Sequence, residues 1–530
     1  DDGEDSDTDE SVEEDTAVSE DDVPVDDSTV VDDDPATDPD MPEEEVDVES
    51  DSDSDVPEPD DLIDESPDAD EELPEDENPF IFTAVEPEST FGIDVDGASY
   101  SLVRRYLTYN KYMPPIEKVR IEELINYHDY DYPVPEAGAL HPFSVTVEMG
   151  PCPWYDQHDL LMIGLKGHDL LPEERKPSNL VFLIDGSGSM LPAARLPLLK
   201  TALKKLVDNL TAVDRVGIIR FNDEAHVMLD PTLATTSGKT LMKAAIDSLT
   251  ANGSTDGGAA IQMAYDWAAI NKNNDGNNRI ILATDGAFNV GATLTATQLK
   301  DLIVTNRNAF IYLTVLGFGE PAELNDTNLQ TMAENGNGNY FYIDNEKEAD
   351  RVLNRKVLGT IFAIAKDVKV QVEFNPSKVL KYRLIGYDKK VLENEDFNND
   401  AVDAGELGAG HTVTAFYQIE YVSGMSPYLF APGADDFVEV RLRYKPPEST
   451  ESTMFDTKVT AAHYLSEPSE NFAFASAVTE WGLLLRDSYY KFDASYDNAK
   501  ARAEAALGTD EWGLRAEFVT LVDAAKEYDN

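Results

Sequence analysis

The chain has 530 residues, 42% apolar and 28% charged, with 105 acidic against 41 basic side chains and a formal net charge of −64. The length allows several domains and a sizeable core, while the charge argues against a nucleic-acid binder, which needs clustered Lys and Arg to release counterions, and makes anionic membranes equally poor partners. The single cysteine, Cys152, excludes an intramolecular disulfide framework and any multi-cysteine zinc or iron–sulfur site.

Residues 1–78 hold 40 Asp or Glu, no Lys or Arg and no aromatic residue, whereas residues 79–530 carry 65 acidic and 41 basic groups. Repelling charges with little apolar surface cannot offset ordering entropy, so 1–78 is predicted to be a disordered acidic spacer, about 50 Å across even as a neutral coil. The chain starts at Asp1 rather than Met and has no apolar run of the roughly 18 residues that a transmembrane helix needs. A missing leader followed by an acidic, core-free spacer suits an exported protein tethered outside a membrane or secreted, although an intracellular acidic tail would have the same composition.

Aromatic residues begin at Phe80, and Tyr100, Val103, Arg104 and Leu107 recur at helical spacing, as do Val119, Ile121, Leu124 and Ile125 after Pro114-Pro115. Residues 79–140 are therefore predicted to be a small helical segment. Asp94 and Asp96 are expected to cap its first helix, because the loop lacks the other ligands of a calcium site. Residues 143–149 and 160–166 have strand-like patterns, giving two strands within 141–176.

From 177 to 365, apolar runs alternate with amphipathic helices, the pattern of a doubly wound, mostly parallel α/β sheet. Strands are placed at 180–184, 215–221, 279–283, 310–316 and 340–343, with a short edge strand near 226–229. Helices are placed on the stripe of Leu196, Leu199, Leu203, Leu206 and Leu210 and near 257–270, 295–306, 324–334 and 346–365. Residues 366–465 return to period-two strands that bury one face. They need a second sheet, which the strands of 141–176 can supply, so the α/β unit is predicted to be inserted in a β-sandwich. Residues 466–530 read as a helical end piece.

The chemistry falls at the carboxyl ends of the predicted parallel strands, where open α/β sheets bind ligands. Asp185-Gly-Ser187-Gly-Ser189 follows the first strand, Thr255 lies in a second loop, and Asp285 follows the strand at 279–283. Carboxylates and hydroxyls are hard oxygen donors suited to Mg²⁺ or Mn²⁺. Gly-Ser-Gly-Ser alone could be a simple turn; three loops converging on one sheet edge favour a cation.

Asp-x-Ser-x-Ser with a later Thr and Asp resembles the metal-ion-dependent adhesion site of the von Willebrand factor type A domain, with all five positions present as Asp185, Ser187, Ser189, Thr255 and Asp285. Tyr127-His-Asp-Tyr-Asp-Tyr-Pro, Leu282-Ala-Thr-Asp-Gly-Ala-Phe-Asn-Val-Gly and Ile364-Ala-Lys-Asp-Val-Lys-Val-Gln-Val-Glu-Phe-Asn-Pro resemble the bacterial YfbK-type envelope proteins, a likeness covering essentially 80–530. The resemblance implies a Rossmann-like A domain between an N-terminal family segment and a C-terminal region, often in a lipoprotein. It also implies Mg²⁺ (or Mn²⁺ or Ca²⁺) held by Asp185, Ser187, Ser189 and Thr255, with Asp285 acting mostly through water. One coordination position would remain for a Glu or Asp of a partner protein. Gly186 and Ala287 stand where the family commonly has Val and Asp; neither is one of the five positions.

No Gly-x-Ser-x-Gly elbow, Walker loop or His-Glu-x-x-His motif occurs, and no general base is evident beside the metal residues. The expectation is a non-enzymatic, metal-ion-dependent protein-binding or adhesion module of the cell envelope. An envelope scaffold with a vestigial site is the alternative, followed by a metal-dependent hydrolase using Asp185 and Asp285. Trp154, Trp267, Trp481, Trp512 and Cys152 read as core residues, and the histidines as surface or hydrogen-bonded core residues. The predicted helix 346–365 leads straight into the sandwich, so its displacement would couple ligand binding to that sandwich.

Overall fold

The computed structural model describes residues 77–529 apart from 137, 172–173, 287, 289–293, 357–358, 360 and 432–435. The predicted acidic spacer, up to residue 76, lies outside the described residues. Strand Ser178–Asp185 is buried at every position, as an apolar run inside a parallel sheet should be. It pairs in parallel with Arg215–Phe221 and Asn277–Thr284, followed outward from the latter by Tyr312–Gly317 and Tyr340–Tyr342. Ala225–Leu233, longer than its predicted counterpart, closes the other edge antiparallel.

Helices cover both faces because alternate residues of one strand point opposite ways. Leu180, Phe182 and Ile184 join the leucine stripe of Leu196–Asn209 in one core, while Val181 and Leu183 join Ala260, Ile261 and Ala264 of Gly258–Ile270 in another. Helix Thr236–Ser248, absent from the sequence-based expectation, adds Met242 and Ile246 to the first core.

The sandwich surrounds this unit in sequence. Phe143–Pro151 and Asp159–Gly167 pair with one another and continue through Thr412–Tyr421 and Val379–Ile385 to Ile81–Phe82. The opposing sheet contains Ala363–Phe374, Asp436–Lys445 and Thr453–Thr460, with Glu88–Gly92 and Val391–Leu392 on the other side. A single core draws on both sheets, including Leu161, Ile163, Val413, Val370, Val372 and Val440. A further core joins the N-terminal helices Ala98–Arg105 and Ile121–Asn126 to the C-terminal helices Glu470–Leu485 and Leu514–Tyr528 around the buried Trp154 and Trp481.

Several expectations change. Residues 79–140 are not purely helical, since Ile81–Phe82 and Glu88–Gly92 are sandwich strands whose partners lie far along the chain. The predicted helix 346–365 is interrupted: Glu346–Asp350 passes into a π turn at Arg351–Arg355, Gly359 and Ile361 are again helical, and the chain is already strand at Ala363. There the pairing of Ala363 and Ala365 with strand Gly405–Gly408 outweighs helix continuation. Asp94 and Asp96 do not cap: the N-cap is Gly97, without a side-chain bond. Instead Asp94 Oδ1 accepts from Asp96 N (2.9 Å) and Asp96 Oδ1 from Tyr340 N (3.2 Å), tying the N-terminal segment to the last strand of the parallel sheet.

Trp512 is 48% exposed, its ring lying under the Arg355 guanidinium at 3.7 Å. His128 and His411 are buried, yet both ring nitrogens of His128 and Nε2 of His411 lack hydrogen-bond partners. Burial keeps both imidazoles neutral, His411 being pushed down to about 3. No helix among the described residues is long and apolar enough to cross a membrane.

Gly164, in the middle of Asp159–Gly167, explains the aromatic motif at 127–133. A Cβ there would lie 2.4 Å from the Tyr132 ring, whose hydroxyl bonds Thr414 Oγ1 at 2.9 Å. Gly164→Ala is therefore expected to cost about 1–3 kcal/mol of stability by overpacking, read as a lowered denaturant midpoint with an unchanged m-value.

Candidate functional site

Strand Ser178–Asp185 ends on Asp185 and passes through Ser187 into a 3-10 turn at Gly188–Met190. Asp185 is fully buried. Its Oδ1 accepts from Ser187 N (2.9 Å), an Asx turn that curls the loop over the strand end, and its Oδ2 accepts from Thr284 Oγ1 (2.8 Å) on the neighbouring strand. The turn brings the Ser187 and Ser189 hydroxyls to 2.9 Å from one another.

Backbone bonds stitch the second loop to the first: Asn252 N donates to Gly186 O (2.8 Å), and Gly188 N donates to Gly253 O (3.0 Å). Gly186 is required here. A Cβ on it would lie 2.3 Å from Arg220 Nε and 2.7 Å from Arg220 Cγ, and that guanidinium donates to Thr250 O (2.8 Å), Gly186 O (3.2 Å) and Asn252 Oδ1. The departure from the family's Val is thus matched by an arginine that takes its space and locks the two loops together. Thr255 follows on the same loop, half-buried, just before helix Gly258–Ile270.

Asp285 follows strand Asn277–Thr284 and is buried. Its Oδ2 accepts from Arg195 Nη1 (2.6 Å), while its Oδ1 has no hydrogen-bond partner. Arg195 Nη1 also donates to Ser189 O (2.9 Å), and Arg195 Nη2 pairs with Glu323. Sequence reasoning missed Arg195, since a lone basic residue before a helix carries no spacing signal; only the curl of the first loop returns it to Asp285.

All five predicted positions therefore stand on loops at one edge of the parallel sheet. Burial raises the Asp185 carboxyl, the hydrogen bonds from Ser187 and Thr284 lower it, and Asp285 raises it again. The two carboxylates are close enough to feel one another. Asp185, Ser187 and Asp285 are buried whereas Ser189 is exposed, so the cluster opens to solvent on one side.

This donor set fits a hard divalent cation. A buried acceptor left unpaired, such as Asp285 Oδ1, costs about 1–3 kcal/mol unless a ligand satisfies it. Among the described residues no group of three or more His, Cys, Asp or Glu is arranged to hold a metal, so a cation here would depend on the hydroxyls as well as the carboxylates.

Three family descriptions match the chain: "von Willebrand factor" over residues 69–162, "von Willebrand factor type A domain" over 179–355, and "Uncharacterized protein YfbK, C-terminal" over 359–528. "Uncharacterized protein YfbK" of Escherichia coli (strain K12) is 37% identical over 466 residues, covering 85% of this chain and 80% of that protein. "Uncharacterized protein sll0103" of Synechocystis sp. is 29% identical over 177 residues, covering 33% of this chain and 40% of that protein. Among solved structures, von Willebrand factor type A from Catenulispora acidiphila is 15% identical with a TM-score of 0.44, covering 72% of this chain and 90% of that one.

Proposed function

Because the chain belongs to the YfbK-type family, built around a von Willebrand factor type A domain, we propose that this sheet edge captures a partner protein through a divalent cation. Asp185, Ser187, Ser189, Thr255 and Asp285 would hold Mg²⁺, or Mn²⁺ or Ca²⁺ in its place. Two carboxylates would balance the charge of the cation but, with three hydroxyls, would not fill its six-fold coordination, leaving a position for a carboxylate oxygen from a Glu or Asp of the partner. The type A domain is the fold of protein-interaction and adhesion modules, which agrees with this reading. The observation that carries it is the orphaned, buried Asp285 Oδ1 on a loop adjoining the paired Ser187 and Ser189 hydroxyls.

The protein's own groups prepare the site. Ser187 N and Thr284 Oγ1 fix the Asp185 carboxylate, and Arg195 holds Asp285 by one oxygen while leaving the other unpaired. The setting we propose is the extracytoplasmic cell envelope, with residues 1–78 as a spacer from a lipid anchor. Its support is the acidic, aromatic-free composition of that stretch.

Thermal unfolding of the full chain in EDTA, Mg²⁺, Mn²⁺ and Ca²⁺ tests the reading. A cation bound only by the folded protein at a hundred times its Kd should add about 2.7 kcal/mol and raise the midpoint. Cations gathered loosely by the acidic stretch would not produce that rise. A midpoint unchanged by every cation at millimolar concentration would favour the second reading, an envelope scaffold, in which Arg195 on Asp285 and Ser189 already supplies the positive charge.

Arg195→Gln separates the roles of that guanidinium. Removing a positive charge beside a metal carboxylate is expected to tighten Mg²⁺ or Mn²⁺ binding by about tenfold, measured by titration calorimetry. Weaker binding instead would mean that Arg195 acts chiefly by orienting Asp285.

A further inference from the structure

The opposite end of the parallel sheet carries a second, unexplained cluster. Arg279 stands near the start of strand Asn277–Thr284, six residues and about 20 Å of extended chain before Asp285. It is 2% exposed. Its Nη1 donates to Thr314 Oγ1 (2.7 Å) and its guanidinium lies 5.4 Å from the centre of the Tyr312 ring, but its Nε has no hydrogen-bond partner. Among the described residues no carboxylate forms an ion pair with it. Lys366 of strand Ala363–Phe374, 8% exposed, is likewise outside any ion pair. Asn277 shares a strand face with Arg279, and its Nδ2 is buried and unpartnered.

These three donors line one cavity of about 530 Å³ between the α/β unit and the sandwich, together with the rings of Phe310, Tyr312 and Phe362. The acidic groups nearby are engaged elsewhere. Glu448 pairs with Lys176, and Glu174 Oε2 accepts from Leu171 N (2.9 Å). Glu406, within electrostatic reach of both cations, accepts from Asn337 Nδ2 (2.7 Å), and burial pushes its carboxyl up to about 7, so it neutralises them only in part at neutral pH. Phe310 adopts a left-handed backbone, φ +60°, a strained state for an aromatic residue. Its ring is held partly exposed, with Lys366 Nζ 5.0 Å and Lys272 Nζ 5.6 Å from its centre.

A buried guanidinium and ammonium without a carboxylate are expensive unless a ligand repays their desolvation, and burial lowers the proton affinity of both. A wall of donors lacking acceptors selects an anion, and the adjoining rings select an apolar body. We propose that this cavity binds a small amphipathic anion, with a phosphate, carboxylate or sulfonate head against Arg279, Lys366 and Asn277 and an aromatic or acyl body against Phe310, Tyr312 and Phe362. The site is separate from the cation-binding edge.

The test is calorimetric titration of phenyl phosphate into the full chain in EDTA, which keeps the cation-binding edge silent, with benzyl alcohol as the neutral counterpart and inorganic phosphate as the headgroup alone. Saturable binding is expected, at least about tenfold tighter for phenyl phosphate than for either control and weakened about tenfold or more in Arg279→Gln and in Lys366→Gln. Phenylacetate and benzenesulfonate then rank the headgroups. Arg279→Met is expected to leave the unfolding midpoint without probe unchanged or higher, because it replaces an unpaired buried charge with apolar bulk, and to abolish the probe-induced rise. The proposal is overturned if millimolar phenyl phosphate gives no binding, if inorganic phosphate binds as tightly, or if Lys366→Gln and the Arg279 variants bind like the parent. It is also overturned if Arg279→Met unfolds several degrees lower while Lys366→Gln binds normally, since Arg279 would then be a structural residue.

Discussion

Glu348→Ala is expected to cost about 3–5 kcal/mol of stability, because it breaks a buried ion network from its centre. Glu348 Oε1 accepts from Arg351 Nε (3.0 Å) and Nη2 (2.6 Å), and Oε2 accepts from Arg104 Nη2 (3.0 Å) and Tyr127 OH (2.6 Å). Glu348, Arg104, Arg351 and Tyr127 are all buried. Arg104 also pairs with Asp344 and Glu517, so one network joins the N-terminal helix, the end of the α/β unit and the last helix of the chain. Removing the carboxylate would leave the buried Arg351 guanidinium without its ion-pair partner, while Arg104 keeps Asp344 and Glu517.

The pH dependence follows from linkage. Burial alone would raise the Glu348 carboxyl, but Arg351 and Arg104 overcome it and hold it down to about 2, against an ordinary value of 4.5. A depressed carboxyl contributes stability that is fully present above its unfolded value and is lost as pH falls through its folded one. The difference in stability between the parent and Glu348→Ala should therefore be constant above about pH 5 and shrink between 4.5 and about 2. Chemical denaturation across that range measures it; a difference independent of pH would mean that packing, not charge, sets the cost. The network also bears on coupling. The segment expected to swing as one long helix is a short helix fastened by Glu348 and Arg351, so displacing it would require breaking these bonds.

Asp185→Asn is expected to abolish any cation-dependent rise in the unfolding midpoint while leaving the midpoint in EDTA close to that of the parent. The amide keeps the carboxylate's shape, its oxygen able to accept from Ser187 N and its NH2 group to donate to Thr284 Oγ1, whose hydroxyl can turn to accept, but it removes one of only two anionic donors at the site. If a divalent cation at saturation adds about 2.7 kcal/mol to the parent, the variant should gain almost nothing from the same concentration. A rise retained in full by Asp185→Asn would place the cation elsewhere and remove the basis for partner capture at this edge. Pull-down of a partner in Mg²⁺ and its release by EDTA would follow the same pattern, since capture depends on the same charge.

The sequence by itself determined what is local and repeated. The buried run at 178–185 and the leucine stripe after it specify a strand and its covering helix because burial of one face imposes a period that the chain must carry in its own residues. Asp185, Ser187 and Ser189 could be recognised for the same reason: a single tight turn needs all three within five positions. Asp285 was legible through the strand-end rule of open α/β sheets, whereas Thr255, on a loop between helices Thr236–Ser248 and Gly258–Ile270, was singled out by the resemblance to the type A motif. The family segments fell on continuous stretches and could be matched without reference to contacts.

Tertiary structure alone decided what depends on partners distant in sequence. Ile81–Phe82 and Glu88–Gly92 are strands only because sheet edges are waiting for them at Val379–Ile385 and Ala363–Phe374, and two to five residues are too few to display a period. Ala363 begins a strand, not a helical turn, because ladder pairing with Gly405–Gly408, about forty residues further along the chain, outweighs local helix propensity. Arg195 reaches Asp285, and Arg220 fits beside Gly186, through loop closure that no spacing reveals. Arg279 reads in sequence as an ordinary strand residue. It becomes a buried cation without an ion-pair partner among the described residues only when the sheet, the Phe310 turn and the sandwich close around it, because desolvation is a property of the surroundings and not of the residue.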